Sequence, residues 1–198
     1  MLVSQAAYAV EKFTGGSITP DKTEEVYRGI LRDKKNIVLI GMPGCGKPTI
    51  GKILADELNK DFTDTDDEII KRINMPIAEY FAKHGEESFR RIESEVIKEI
   101  SACQSSVIAT GGGAVLNPDN IRLLKENGTV IFIDRPLEKL VTTADRPLSS
   151  SRELLEKRYK ERYGLYGAAA DVKIDAVSRI EQNVKNIEEV FLNENSCN

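Results

Sequence analysis

The sequence predicts an α/β protein built on a parallel sheet, and three observations predict it. Continuous apolar, β-branched runs recur, among them "NIVLI" at 36–40, "SVIAT" at 106–110 and "TVIFID" at 129–134. Runs without polar alternation suit strands buried on both faces. Segments of helical periodicity separate them, and the alternation continues from Asn36 to the end of the chain, the pattern of βαβ units.

The first 35 residues stand apart. In "MLVSQAAYAVEKFTG", Leu2, Ala6, Val10 and Phe13 recur at helical spacing, and Gly15-Gly16 stops the pattern. "SITPDKTEEVYRGILRDKK" is polar, with one short amphipathic stretch around Val26, Ile30 and Leu31. Residues 1–35 therefore read as a helical appendage and linker, and 36–198 as the main domain. After the first strand, "TIGKILADEL" is a helix starting in a glycine-rich loop, with Ile50, Ile53, Leu54 and Leu58 as its apolar stripe. "FTDTD" reads as a strand end and "DEIIKRI" as helical. Pro76 opens a helix closed by Gly85, in the usual proline-first, glycine-last order. "EESFRRIESEVIKEISAC" is a long helix with Phe89, Ile92, Val96, Ile97 and Ile100 on one face. The strand "SVIAT" runs into three glycines at 111–113, and "NPDNIRLLKENG" is a helix before "TVIFID". A charged helix, "SRELLEKRYKERYGLY", a short strand, "DVKID", and a closing helix, "SRIEQNVKNIEEVFL", complete the chain.

Composition narrows the function. The 198 residues are 40% hydrophobic and 30% charged, with net charge −4, so the chain carries no basic footprint for nucleic acid or an acidic membrane surface. No apolar run approaches the roughly 18 residues of a membrane span, and the N-terminus lacks the pattern of a secretory signal. Cys45, Cys103 and Cys197 have no metal-ligand spacing and read as reduced thiols of a cytoplasmic protein. His84 is the only histidine, which excludes histidine triads and multi-histidine metal sites.

Chemistry concentrates at a few places. "GMPGCGKPTIGK" places Gly41, Gly46 and Lys47 in the G-x-x-x-x-G-K-[ST] pattern of a phosphate-binding loop, between a buried strand and an amphipathic helix. Backbone N–H groups and the helix N-terminus then face phosphates, with Lys47 as a point charge. Pro48 stands where the pattern requires a metal-ligating hydroxyl. Asp64 and Asp66, in "DTD", lie at the carboxyl end of a strand, where open α/β sheets bind ligands. As alternate strand residues they share a face. One carboxylate can serve magnesium while the other takes a proton from a phosphate acceptor; capping and solvation are the plainer alternative. Asp67 and Glu68 suit a helix N-terminus. Arg90 is ordinarily a surface residue, yet can point to the ligand edge, whereas Arg91 and Glu95 form an i,i+4 pair. Residues 111–113 allow a close backbone approach to a ligand or a tight turn. Arg146 lies in a serine-rich connection fit to be a lid, and composition does not choose among the six basic residues that run from it to Arg162.

In order, G-x-P-G-x-G-K, D-x-D, G-E-x-x-F-R-x-x-E, G-G-G-A-V, R-P-L and E-R-Y-x-x-Y resemble the signature of the shikimate kinase family, from about Asn36 to the last helix. The resemblance implies a P-loop kinase fold of the nucleoside-monophosphate-kinase type, with a five-stranded parallel sheet of order 2-3-1-4-5. It also implies ATP-dependent phosphorylation of the shikimate 3-hydroxyl, with Mg2+. On matching positions, Asp66 binds the ring hydroxyls and accepts the reacting proton. Arg90 and Arg162 clamp the carboxylate, and Gly112 lines the site. Gly44, Cys45, Gly46, Lys47, Pro48 and Thr49 hold ATP, Asp64 serves magnesium beside the Pro48 position, and Arg146 closes onto the phosphates. The expected partners are shikimate and ATP, with the chain acting as a monomer. Bidentate arginines suit a carboxylate, and phosphoryl transfer asks mostly for positioning and neutralised charge.

The first 15 residues resemble the C-terminal end of shikimate dehydrogenase, in which a glutamine matching Gln5 touches shikimate; without the rest of that protein no redox activity is expected. Two positions depart from the kinase pattern. Pro48 lacks the hydroxyl, and "LEKLVTTADRPL" has Thr142 or Thr143 where an adenine-stacking arginine is common. The rival readings are another small-molecule kinase of this fold, such as a gluconate kinase, and a catalytically weak shikimate-binding module.

Overall fold

The computed structural model describes residues 19–140, 152–176 and 179–194, with the single positions 5, 8 and 12. Five strands form one sheet: β1 (Asn36–Ile40), β2 (Asp61–Asp64), β3 (Ser106–Ala109), β4 (Gly128–Asp134) and β5 (Val172–Asp175). Every pairing is parallel and the order is β2-β3-β1-β4-β5. Val38 lies between Ile108 and Val130 in the register. All five residues of β1 are at most 1% exposed. Alternate side chains point to opposite faces, so both faces of this central strand are covered.

The helices are α1 (Pro20–Lys34), α2 (Lys47–Leu58), α3 (Thr65–Ile73), α4 (Ile77–Ser101), α5 (Pro118–Glu126), α6 (Arg152–Ala169) and α7 (Ile180–Glu194). Helix α2 packs on β1, β2 and β3 and against α7, while α5 packs on β4 and against α4. Burying an Ile, Leu or Phe fully contributes about 1.5–3 kcal/mol, so the core dominates the fold: Ile37, Leu39, Ile50, Leu54, Val184 and Phe191 belong to it, and Phe132 belongs to it on the other face of the sheet, against Tyr163 and Tyr166. Asn36 locks its lower edge: Nδ2 donates to the Cys103 carbonyl at 2.7 Å, and Oδ1 accepts from the Ser106 N–H at 2.9 Å. A second apolar cluster, Ile69, Phe89 and Val96 with Ile73, Tyr80 and Phe81, holds α3 to α4. Gly85, at φ +77°, breaks α4 where the sequence places a helix stop.

Three local expectations change. The stretch read as a polar linker is the 15-residue helix α1, started by Thr19, whose side chain accepts from the Lys22 N–H, with Pro20 next. Its end is tied to the core by Lys60, which donates to the carbonyls of Asp33 and Lys35, and by the Ser105 N–H on Lys34 O. Strand β2 ends at Asp64, which caps α3 by accepting the Asp66 N–H at 2.8 Å. Asp64 and Asp66 therefore do not share a strand face; they flank a helix start. Arg91 and Glu95 do not pair, because Glu95 faces Arg72 across to α3 at 3.8 Å. Gln5, Tyr8 and Lys12 have helical backbone; Gly15-Gly16 and Cys197 lie outside the described residues. Among the described residues no helix is long and apolar enough to cross a membrane.

Candidate active site

The carboxyl ends of β1, β2 and β3 deliver three segments to one edge of the sheet: the glycine loop, the start of α3 and residues 111–113. In the loop, Gly46 caps α2 at φ +100°, a conformation that glycine adopts without the penalty other residues meet. Lys47, 3% exposed, folds back so that Nζ donates to the carbonyls of Gly41 at 2.8 Å and Met42 at 3.0 Å, with Cys45 Sγ at 3.6 Å. Gly44 and Pro48 are half-buried, Cys45 is buried and Thr49 is exposed. Pro48 is the second residue of α2; an N–H there has no intrahelical acceptor, so proline costs the helix no bond.

Asp64 stands at the end of β2, opposite Lys47. Burial, with the charge of Asp66 beside it, pushes its carboxyl up to about 6; the Asp66 N–H and the Lys47 charge pull the other way. Asp66 points into the gap under the glycine run: its Oδ1 lies 2.7 Å from where a Cβ on Gly111 would sit. The Gly111 N–H donates to Thr65 Oγ1 at 2.7 Å. A Cβ on Gly112 would meet the Pro43 ring at 2.8 Å, and one on Gly113 would collide with the Arg90 guanidinium. Each glycine thus admits a different neighbour: Asp66, the phosphate loop and Arg90. This is the close-approach alternative rather than a mere turn.

Arg90 is held from both sides on α4. Its Nη1 donates to Glu93 Oε2 at 2.7 Å and its Nη2 to Glu86 Oε1 at 3.0 Å. Burial alone would lower the Arg90 pKa, but Glu93 and Glu86 outweigh it and raise it. Glu93 is 2% exposed; burial raises its pKa against the opposing charge of Arg90. From α6, Arg162, 7% exposed, donates through Nη1 to the Gly112 carbonyl at 2.9 Å, and the Tyr166 hydroxyl donates to the same oxygen at 2.6 Å. Arg158, one turn earlier, is half-buried; burial and the nearby Arg162 charge lower its pKa. The arrangement is a small basin of arginines and one aspartate, walled by glycine backbone and touching the phosphate loop. It can hold a small anion with hydroxyls against an aspartate and a phosphoryl donor.

The structure brings together Gly44, Cys45, Gly46, Lys47, Pro48, Asp64, Asp66, Arg90, Gly112 and Arg162. Thr49 faces outward. Arg146, Thr142 and Thr143 lie outside the described residues. Sequence reasoning assigned no role to Glu93, Tyr166 or Arg158. Glu93 was within reach, since it closes the G-E-x-x-F-R-x-x-E pattern three residues after Arg90. Tyr166 required the tertiary contact with Gly112. Among the described residues no group of three His, Cys, Asp or Glu side chains forms a metal cluster by itself. Mg2+ ordinarily takes one or two carboxylates plus phosphate oxygens and water, so Asp64 fits that ion, whereas Pro48 offers it no ligand.

Residues 43–191 match the sequence model of the shikimate kinase family. A shikimate kinase of Clostridium botulinum (strain Eklund 17B / Type B) is 46% identical over 164 residues, 81% of this chain and 99% of its own. The structure of a shikimate kinase from Acinetobacter baumannii, in complex with shikimate, superposes with a TM-score of 0.79 at 30% identity, covering 84% of this chain and 98% of that one. A gluconokinase from Sinorhizobium meliloti 1021 superposes with a TM-score of 0.53 at 16% identity, covering 83% of this chain and 95% of that one; that likeness extends to the fold alone.

Proposed function

The chain belongs to the shikimate kinase family, a phosphotransferase using ATP to phosphorylate shikimate, and we propose how its own residues divide that reaction. The observation that carries the assignment is the meeting of Asp66, Arg90, Arg162 and the phosphate loop around residues 111–113. Arg90 and Arg162 bind the substrate carboxylate, and the Glu86–Arg90–Glu93 ladder keeps the Arg90 fork in place before substrate arrives. The ring then lies against Gly112, with its hydroxyls toward Asp66.

In the reaction, the 3-hydroxyl oxygen forms a bond to the γ-phosphorus and the bond from that phosphorus to the β,γ-bridging oxygen breaks. The hydroxyl proton passes to an Asp66 carboxylate oxygen, and ADP leaves with the bridging oxygen. Lys47 and Arg146 offset the charge on the phosphoryl oxygens. Asp64, with the nucleotide phosphates, would hold magnesium, which when bound would supply further neutralisation of that charge. Gly44, Cys45, Gly46 and Lys47 form the cradle, to which Thr49 lends only its backbone N–H in the first turn of α2, with Pro48 as its weak member, so phosphoryl transfer is slow although shikimate binds normally. Asp66→Asn tests the proton step: kcat should fall by on the order of 10²–10⁴, and an unchanged kcat would remove Asp66 from that role.

The chain acts in the cytoplasm as a monomer, with no nucleic-acid or membrane partner. Residues 1–35 form an appendage whose first stretch derives from a shikimate dehydrogenase end. That reading is supported by the L-V-x-Q-A pattern and the helical backbone at Gln5, Tyr8 and Lys12. The weak-binding-module alternative has Pro48 as its support.

A further inference from the structure

Arg135 follows the last residue of β4, at the same sheet edge as the phosphate loop. Its neighbour Asp134 is occupied on the side of β5 and α6: Oδ2 accepts from the Tyr163 hydroxyl at 2.8 Å and lies 2.8 Å from Lys173 Nζ. Arg135 turns toward the loop. Its Nη1 lies 3.9 Å from where a Cβ on Gly46 would sit, at the N-cap of α2. Its Nε is buried without a hydrogen-bond partner, and no carboxylate among the described residues pairs with it.

That placement is unfavourable for the protein alone. A helix N-terminus carries roughly half a positive charge, and a buried N–H without an acceptor costs about 1–3 kcal/mol. A cation at that helix start and an orphaned donor both call for an anion. The loop beside them is built for phosphates, and Pro48 supplies it with neither an N–H nor a hydroxyl. We propose that Arg135 is a nucleotide-binding residue, its guanidinium donating to a phosphate oxygen of ATP and ADP and offsetting the contacts missing at Pro48. The inference rests on the kinase reading above and adds a residue to its nucleotide side.

Calorimetric titration of MgADP and of shikimate into the parent chain, Arg135→Ala and Arg135→Lys tests it. A charge-assisted contact predicts that Arg135→Ala weakens MgADP about tenfold or more, with shikimate affinity within about twofold on the same sample. Arg135→Lys should recover part of the loss, since a point charge serves phosphate without the planar fork. In a Pro48→Ser background the Arg135→Ala loss should shrink, because the loop regains its own contacts. Parent-like MgADP affinity in Arg135→Ala, with shikimate still phosphorylated, overturns the role of Arg135 and leaves the activity standing. If Arg135→Ala loses shikimate binding as well, Arg135 is structural and the proposal fails. A parent chain that binds MgADP yet never phosphorylates shikimate overturns the kinase reading instead.

Discussion

Pro48→Ser should speed the reaction without stabilising the protein. Helix α2 begins at Lys47, so position 48 lies within the first turn, where backbone N–H groups have no helical acceptor. The first helical bond visible at this end, from the Ile50 N–H to the Gly46 carbonyl at 3.0 Å, does not involve Pro48. Replacing the proline therefore returns no helix bond, and the melting temperature should move by no more than a few degrees. It returns an N–H and a hydroxyl to the phosphate cradle instead. One charge-assisted hydrogen bond is worth about 1.5–3 kcal/mol, and one preorganised donor in an active site typically on the order of 10²–10³ in turnover. Thr49 does not stand in for position 48: it is exposed and turned about 100° around the helix axis. A coupled assay of ADP release with shikimate should show kcat/KM for MgATP rising at least about tenfold, roughly 1.4 kcal/mol of transition-state stabilisation. The KM for shikimate should be unchanged, because the shikimate basin does not include position 48. Equal kcat/KM for parent and serine variant would refute the reasoning and require another metal ligand in the loop.

Arg90→Ala and Arg162→Ala should each weaken shikimate about ten- to a hundredfold by calorimetry; unchanged affinity in both would remove the carboxylate clamp. Asp64, whose carboxyl is pushed up from the ordinary 3.8 to about 6, holds its proton more tightly folded than unfolded, so its contribution to stability is full below about pH 4 and is lost as pH rises through about 6. At pH 8 that loss is at most on the order of 3 kcal/mol. Asp64→Asn, which keeps an oxygen for the Asp66 N–H, should therefore stabilise the metal-free chain at pH 8 but not near pH 4 in urea titrations; a gain equal at both pH values would contradict this. A chain starting at Asp33 should stay folded by circular dichroism, since it keeps the Asp33, Lys34 and Lys35 carbonyls that tie the start of the domain to Lys60 and Ser105. Its unfolding would make α1 integral to the core.

The buried strands were legible because they are apolar runs rich in β-branched residues: after Asn36, "IVLI" leaves no polar face to misread, and β1 is buried along its whole length. The strand order came with the family resemblance, since periodicity alone does not say which strands adjoin. Helix α1 passed for a linker because its one amphipathic stretch, around Val26, Ile30 and Leu31, is short and set in a polar segment; these residues remain exposed in the structure. Its start signal, Thr19-Pro20-Asp21, was nevertheless present. "FTDTD" was extended too far as a strand because Asp64 serves two elements at once, ending β2 and capping α3. Spacing identified Arg90 and Arg162 only as basic residues on helices. What brings them together is the glycine run: Gly113 leaves room for one, and the Gly112 carbonyl receives the other. Arg135 carried no signal in "IDRPLE", since its significance lies in facing Gly46 from the end of the neighbouring strand.

We propose that the basin of Asp66, Arg90 and Arg162 selects shikimate as phosphoryl acceptor. Phosphorus NMR of the product mixture, with MgATP and either shikimate or gluconate as acceptor at equal concentration, tests it directly. Shikimate should yield a phosphate monoester on its 3-hydroxyl, with ADP formed in equal amount, and gluconate should yield none above background. A gluconate phosphate, or ADP formed at the same rate with and without shikimate, would contradict the assignment.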